Sequence, residues 1–441
     1  MMKCLIIAAG KGDRLRQKGE SKPLIPILGI PLIERVIRSA LEAGVDGFYV
    51  VSGYHRPEVN AFMSCLAGRL DTLITPIVNG DYEKGNGLSV LKAREYLHEP
   101  FLLLMADHLF DPSIARKIMG FPLADGEIVL GVDNNTGNRL VDMADVTRVR
   151  TEGGTIREIG KGLIDFNGLD TGIFLCSPAI FNALERCAKE SGDTSLSGAV
   201  RILAVEGRAK ALDVSGYFLI DVDDPAAFRK AENALLANLR GKTNDGPVSR
   251  YFNRPLSERI SRRLVNYQIT PTHISLFSFL CCVLAAGLFT LSGYPALLLG
   301  GLLAQFASII DGCDGEVARL KLQTSAYGAW LDAVLDRYAD ALLLFGLTWH
   351  EYATKTEGQV LLIGFFAIIG SFILSYTADK YDGFMRECVS SGKGFRLGRD
   401  VRIALIFFGA LLNQAFLTLV VIAIVMNVET IRRIIICRDR E

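Results

Sequence analysis

Four aspartates, Asp311, Asp314, Asp332 and Asp336, fall inside an otherwise apolar half of the chain. A charge within a membrane-spanning helix costs about 2.5–3.5 kcal/mol on insertion scales, so four of them mark a working polar site. Asp311 and Asp314 are three apart, and Gly328, Asp332 and Asp336 are four apart, so each set occupies one face of a helix. Two neighbouring helices would then aim four carboxylates at one point. Left alone, such carboxylates repel one another and take up protons, whereas one or two divalent cations would keep them ionised. The Asp-x-x-Asp-Gly spacing lacks the ligand pattern of an EF-hand loop. A proton relay would leave Gly315, Arg319 and Gly328 unexplained.

A second set of chemical residues is spread through the first half. The loop Gly10-Lys11-Gly12 follows the apolar run Cys4 to Ala8 and can turn its backbone N–H groups toward a phosphate. Lys11, Arg14 and Lys22 add positive charge there. By itself the loop is a common turn, neither Gly-x-Gly-x-x-Gly nor a Walker loop. "FLLLMADHLF" reads as a strand ending in Asp107, and "YFLIDVDDP" as a strand ending in Asp221, Asp223 and Asp224. Two strand-end carboxylates suit a Mg²⁺ that bridges nucleotide phosphates. Asp224, just before Pro225, reads equally well as a helix cap.

The elements that must hold these residues divide the 441-residue chain in two. Residues 1 to about 240 have the pattern of a soluble α/β protein: a strand, a Gly-rich loop, a helix through Leu32, Ile33, Val36, Ile37, Ala40 and Leu41 capped at Gly44, and a second buried strand "FYVVSG". That order predicts a βαβ unit and a mainly parallel sheet. "RGKTNDGPVSR" reads as a linker, and "RYFNRPLSERISRRL" as a basic amphipathic helix suited to an anionic membrane surface. Six candidate spans follow, at about 272–292, 295–318, 326–349, 358–378, 400–413 and 415–436, most near the roughly 20 residues a crossing needs. The domain boundaries expected are 1–235, a linker and juxtamembrane helix over 236–268, and a membrane domain over 269–441.

Charge placement sets an orientation. Arg250 to Arg263, Arg319 with Lys321, Lys380 to Arg402 and Arg432 to Arg440 all fall on one side, with essentially only Lys355 opposite. The positive-inside rule then puts the N-terminal domain, both sites and the C-terminus in the cytoplasm of a multi-pass protein of the cell membrane. The start "MMKCLIIAAGKGDRL" is interrupted too early by Gly and charge for a secretory signal. Nine scattered cysteines form no disulfide framework and suit a reducing compartment. Lys+Arg and Asp+Glu both number 48, so net charge gives no reason to expect a nucleic-acid partner.

Ala8 to Leu15 (AAG-x-G-x-R-L), Lys22-Pro23-Leu24, Asp107 and the late Ile-Asp-Val-Asp-Asp-Pro resemble, as an ordered set, the sugar-nucleotide pyrophosphorylase or nucleotidyltransferase family. The resemblance implies a Rossmann-like mixed-sheet α/β fold over about residues 1 to 235. It implies that Gly10, Lys11, Gly12 and Arg14 grip triphosphate, that Lys22 neutralises charge at the α-phosphorus, and that Asp107 with Asp223 holds Mg²⁺. Gly85-Asn86 would read the base, Gly172 would border the sugar or alcohol pocket, and Lys161 would touch the substrate phosphate.

The run Asp311-x2-Asp314-Gly315-x2-Ala318-Arg319-x8-Gly328-x3-Asp332-x3-Asp336 matches the signature of the CDP-alcohol phosphotransferase family. By that resemblance an all-α domain of six transmembrane helices, a homodimer through it, and Mg²⁺ or Mn²⁺ at this site are expected. Asp311, Asp314 and Asp332 would ligate metal with Asp336 nearby. Gly315 and Gly328 would let the nucleotide approach the backbone, Arg319 would pair with its diphosphate, and Asp336 would take the acceptor hydroxyl proton. Arg396, Arg399 and Arg402 are candidates for an acceptor-phosphate site, with positive-inside anchoring the competing explanation.

The two together resemble the family of bifunctional inositol-1-phosphate cytidylyltransferases fused to di-myo-inositol-phosphate-phosphate synthases. The resemblance implies CTP, inositol 1-phosphate and a CDP-alcohol as substrates. The alternatives are the same two reactions on another alcohol phosphate, or a phospholipid synthase using CDP-diacylglycerol.

Overall fold

Alternation in the first strand builds two cores at once. In β1 (Met2–Ala8), Cys4, Ile6 and Ala8 enter one buried cluster and Leu5 enters another, the period of a strand covered on both faces. The computed structural model describes residues 2–138, 140–237, 239, 246–378, 381 and 398–438. The chain forms two compact units, Met1–Ala234 and Leu235–Glu441.

After β1 come β2 (Pro26–Ile27), β3 (Ile30–Pro31), β4 (Val45–Ser52), β5 (Leu73–Val78), β6 (Phe101–Met105) and β7 (His108–Phe110). They are followed by β8 (Ile128–Asp133), β9 (Arg148–Glu152), β10 (Thr155–Gly160), β11 (Gly168–Cys176), β12 (Ala209–Asp213) and β13 (Leu219–Asp221). Nine strands make one sheet in the order β5-β4-β1-β6-β11-β8-β12-β10-β9. The intervening helices are α1 (Leu32–Ala43), α2 (Arg56–Leu70), α3 (Asn86–Leu91), α4 (Pro112–Met119), α5 (Ala179–Ser191), α6 (Leu196–Val205) and α7 (Pro225–Ala237). α1 buries Leu32, Ile33, Val36, Ile37 and Ala40 and ends at Gly44, as its periodicity predicts.

The sheet is mixed. β1 is parallel to β4 and β6, and β4 to β5, so the parallel expectation holds for this half. The other half departs from it, because β9 and β10 form a hairpin and β11 runs antiparallel to β6, β8 and β9. A second departure concerns the late aspartates. Their strand, β13, pairs only with β7 in a separate two-stranded sheet, and Asp223 lies just beyond it. Asp224 accepts from the N–H groups of Ala226 and Ala227 at 2.7 Å, capping α7.

In the second unit, among the described residues, a π-turn at Ser249–Asn253 leads into α8 (Arg254–Leu264), α9 (Pro271–Phe289), α10 (Tyr294–Leu320) and α11 (Ala326–Lys355). Then come α12 (Gly358–Tyr376), α13 (Arg399–Leu411) and α14 (Ala415–Arg438). Each expected span falls on one of α9 to α14. Of these, α9, α10 and α12 are long and apolar enough to cross a membrane by length and composition. The 13 residues of α13 reach only about 20 Å, short of a hydrocarbon core of about 30 Å. α11 is interrupted by Asp332, Asp336 and Asp340, and α14 ends on Glu429, Arg432 and Arg433. Large apolar side chains such as Phe277, Leu280, Leu302, Phe306, Phe365 and Phe366 point outward from the bundle.

α8 adds a seam that the amphipathic reading did not foresee. Its buried side is Ser257, Glu258 and Ser261, while Tyr251 and Phe252 ahead of it are exposed. The seam meets α10 at Glu316, which is fully buried and accepts from Arg254 Nη1 at 2.8 Å and Ser257 Oγ at 2.6 Å. Paired in this way, a carboxylate at that depth escapes the cost of standing alone.

Candidate active sites

The first site opens at the carboxyl ends of β1 and β6. These strands are neighbours, but β4 and β5 extend the sheet beyond β1 while β11 extends it beyond β6. Such a reversal of strand order leaves the crevice where open α/β sheets hold ligands. Gly10, Gly12, Arg14, Lys22, Asp107 and Asp223 line a cleft of about 320 Å³ there. Gly12 has φ 63°, and a Cβ on it would collide with the Lys22 side chain, so both its conformation and its neighbour call for glycine. Lys11 sits to the side, in an ion pair with Glu83.

Lys22 carries the charge of the cleft. It opens the 3₁₀ turn Lys22–Leu24, is buried, and donates to Asp107 Oδ2 at 2.5 Å and to Asp223 Oδ1. Burial alone would lower its pKa, but Asp107, Asp223 and Asp221 outweigh that and hold the proton above the ordinary lysine range. Asp107 is held well below the usual carboxylate range: burial opposes this, and Lys22 and His108 overcome it. His108, half-buried, would be lowered by its surroundings, but Asp221 and Asp107 outweigh that and raise it to about 9, and its Nδ1 pairs with Asp107 Oδ1 at 2.8 Å. Ligand atoms of Asp107, His108 and Asp221 lie within 4.8 Å of one another, a spacing that fits a metal ion. Asp223, expected with Asp107 as a ligand, meets Asp107 at the same Lys22 ammonium.

The outer residues fall into two groups. Lys161 is 2.5 Å from Asp145, which also accepts from Arg14 at 2.7 Å, and Arg14 is 3.9 Å from Asp223. Lys161 therefore joins the cleft through a chain of charges. Gly172, at φ +69°, would place a Cβ 2.8 Å from the His108 ring, so this glycine sets how closely His108 approaches β11. Gly85 and Asn86 are not among the residues lining the cleft. Gly85 N donates to Thr194 Oγ1 at 3.1 Å, and Asn86 Oδ1 accepts from Leu196 N at 2.9 Å, tying α3 to the start of α6.

The second site is a cavity of about 450 Å³ in the helical unit, and Asp311, Asp314, Gly315, Arg319, Asp332 and Asp336 all line it. The three- and four-residue spacings on α10 and α11 bring the carboxylates together as expected, and Asp311, Asp314 and Asp332 have ligand atoms within 4.8 Å of one another. Gly328 lies in the first turn of α11, its N–H on Ser325 Oγ at 3.0 Å, and does not line the cavity. Two serines of α9 hold the acids from behind: Ser275 Oγ donates to Asp314 Oδ2 at 2.5 Å and Ser278 Oγ to Asp311 Oδ1 at 3.2 Å. Arg399 Nη1 sits 2.6 Å from both Asp311 Oδ2 and Asp336 Oδ1. Arg402 is buried, with Nη2 2.5 Å from Asp340 Oδ2. Arg396 lies outside the described residues.

Residues 4–203 match the MobA-like NTP transferase domain, and residues 268–431 match the CDP-alcohol phosphatidyltransferase family. The chain is 39% identical over 433 residues to the bifunctional IPC transferase and DIPP synthase of Rubrobacter xylanophilus, covering 98% of this chain and 95% of that protein. It is 35% identical over 422 residues to the protein so named from Archaeoglobus fulgidus, covering 94% and 79% respectively. This chain belongs to the family of bifunctional IPC transferases and DIPP synthases. Among solved structures, the inositol-1-phosphate CTP transferase from T. maritima aligns with 53% of this chain and 94% of its own, at 25% identity and a TM-score of 0.48.

Within this bifunctional chain several site residues escaped the sequence reading. His108 stands beside Asp107, and Asp145 joins Arg14 to Lys161, but neither has a spacing that would single it out. Ser275 and Ser278 had a faint signal, two hydroxyls three apart on one face of an apolar helix. Asp340 had a clearer one, since it continues the four-residue series of Asp332 and Asp336.

Proposed function

We propose that the chain makes CDP-inositol from CTP and inositol 1-phosphate, then transfers inositol phosphate from CDP-inositol to a second inositol 1-phosphate, giving di-myo-inositol phosphate phosphate. The observation that carries this reading is the presence, in one chain similar almost end to end to bifunctional relatives, of two separate acidic sites each with a cationic partner.

In the first reaction a phosphate oxygen of inositol 1-phosphate attacks the α-phosphorus of CTP and pyrophosphate leaves. No protein nucleophile is needed, because positioning and charge neutralisation lower the barrier. The backbone of Gly10 to Gly12, with Lys11 and Arg14, holds the triphosphate, and Lys22 meets the charge that builds at the α-phosphate. Gly85 and Asn86, outside the cleft lining, are assigned to the base by family resemblance, Gly172 to the border of the inositol pocket, and Lys161 to the acceptor phosphate.

In the second reaction a hydroxyl of the acceptor attacks the β-phosphorus of CDP-inositol and CMP leaves. Asp336 takes the hydroxyl proton. Gly315 and Arg319 border the nucleotide, with Gly328 assigned to it by family resemblance, and Arg399 and Arg402 supply positive charge for the acceptor phosphate, a role the sequence also assigns to Arg396. A divalent cation, Mg²⁺ or Mn²⁺, would be held by Asp107 and Asp223 in the cleft and by Asp311, Asp314 and Asp332, with Asp336 nearby, in the cavity, where it supplies charge neutralisation at the phosphates. In the cavity the donor set fits such an ion, three carboxylates with oxygens within 4.8 Å of one another; in the cleft Asp107 gathers with Asp221 and His108, and Asp223 meets Asp107 at Lys22.

The reading extends to six crossings by α9 to α14, with the nucleotidyltransferase domain (1–235), the juxtamembrane segment (236–268), both sites and the C-terminus on the cytoplasmic side. The membrane domain (269–441) pairs with a second copy. The loop charges support this orientation.

Purified full-length protein, incubated with CTP, Mg²⁺ and a panel of alcohol phosphates and followed by mass spectrometry, tests the proposal. Pyrophosphate, CDP-inositol, CMP and the phosphodiester are the expected products. A lipid product from CDP-diacylglycerol, or no nucleotide turnover, would contradict it.

A further inference from the structure

Resting on the second reaction proposed above, the geometry points to Asp340 as a positioning residue for it. Asp340 lies one turn beyond Asp336 on α11 and is 5% exposed. Its two oxygens are divided between two arginines of α13. Oδ1 lies 3.4 Å from Arg399 Nε, and Oδ2 lies 2.5 Å from Arg402 Nη2. That same Arg402 nitrogen donates to Ser375 Oγ on α12 at 3.0 Å. Ser375, Arg402, Asp340 and Arg399 thus form a line of contacts that ends at Arg399 Nη1, 2.6 Å from both Asp311 and Asp336.

The planar guanidinium makes this line directional. Acids facing the Nε edge and one terminal nitrogen bias the plane of the whole group through charge, without a hydrogen bond at Nε, and a lysine ammonium in the same place has no such plane to set. Asp340 sets one edge of the Arg399 plane, and the opposite end then falls between the carboxylate that takes the proton and one that faces the metal site. Arg402, itself bonded to Ser375 Oγ, holds the other oxygen of Asp340 in place. Arg402 itself, 2% exposed, is in turn compensated by Asp340. The role of Asp340 is therefore to aim Arg399, and the charge on Asp340 works through that arginine.

The test measures CMP release from CDP-inositol, with inositol 1-phosphate as acceptor, for full-length protein in detergent. Wild type, Asp340→Asn, Arg399→Gln and the double variant are compared. Asp340→Asn should lower kcat about 10–100-fold, the range found when partners that orient a site's working groups are lost. The double variant should be no slower than Arg399→Gln alone, because a residue acting through another adds nothing once that other is gone. Pyrophosphate release from CTP serves as the control for folding. A wild-type kcat in Asp340→Asn, or a double variant whose loss is the product of the two single losses, would overturn the proposal. Should Asp340→Asn fail to accumulate, the pair Asp340→Asn/Arg402→Gln is compared with Arg402→Gln; a further loss of similar size supports the aiming role, and equal rates overturn it. A wild-type chain that releases no CMP would instead sink the reading of the second reaction.

Discussion

In the cleft, the ammonium of Lys22 bridges Asp107 and Asp223; in the cavity, the guanidinium of Arg399 bridges Asp311 and Asp336. Both sites gather carboxylates and hold them with one basic side chain, yet they are assembled by opposite means. The cleft draws its residues from loops beyond strand ends, and Lys22 is 85 positions from Asp107 and 201 from Asp223. The cavity takes its acids from two helices, at spacings that recur every turn. The cation differs as well. Lysine presents a compact point charge that two carboxylates can share, while arginine is a planar fork whose direction a third acid can set. The comparison suggests that the cleft is tuned by charge and the cavity by orientation.

The largest effects should separate the two sites outright. Asp336→Asn removes the proton acceptor of the cavity, and CMP release should fall about 10²–10⁴-fold while pyrophosphate release from CTP stays at the wild-type rate. Lys22→Ala should do the reverse, lowering pyrophosphate release about 10²–10³-fold and leaving CMP release from supplied CDP-inositol intact. Loss of both reactions in either variant would break the division. A smaller effect is expected behind the acids. Ser275→Ala removes the hydroxyl on Asp314, and the Mn²⁺ concentration that half-saturates CMP release should rise about tenfold, with no change in the cleft.

The smallest effect belongs to the cleft's surroundings. Burial raises Asp170 from 3.8 to about 6 against the opposing N–H of Gly172 and charge of His108. A carboxyl raised in the folded chain stabilises it fully below the unfolded value, and that contribution is lost as pH rises through the folded value. Stability of the first unit, followed by thermal inactivation of pyrophosphate release, should therefore decline between about pH 4 and 6 through this group, and Asp170→Asn should flatten the decline. An unchanged profile in Asp170→Asn would remove Asp170 as its source.

What could be read in the sequence follows the same contrast. Helical spacing on α10 and α11 was enough to place Asp311, Asp314, Asp332 and Asp336 together, because a regular helix turns sequence distance into direction. The strand, loop and helix around Gly10, Lys22 and Asp107 were legible for a similar reason, each being a local pattern. Contacts that depend on which distant element comes to lie alongside were not. The bridge made by Arg399 depends on α13 reaching α10 and α11, and the serines of α9 look like ordinary members of an apolar run until α10 is beside them. The late strand β13 had the right residues, but its pairing with β7 alone, outside the main sheet, could not be read from its own sequence. The arginines of α8 suggested a membrane surface, but nothing in that pattern showed that Arg254 and Ser257 would meet the buried Glu316 of α10.

The central claim is that one chain holds two independent sites in series. The most direct test supplies purified Lys22→Ala with ready-made CDP-inositol and inositol 1-phosphate and measures CMP and phosphodiester formation beside wild type. The account predicts equal rates, since the defect lies upstream of the supplied intermediate. A Lys22→Ala protein that stays inactive on CDP-inositol, while remaining folded, would contradict it.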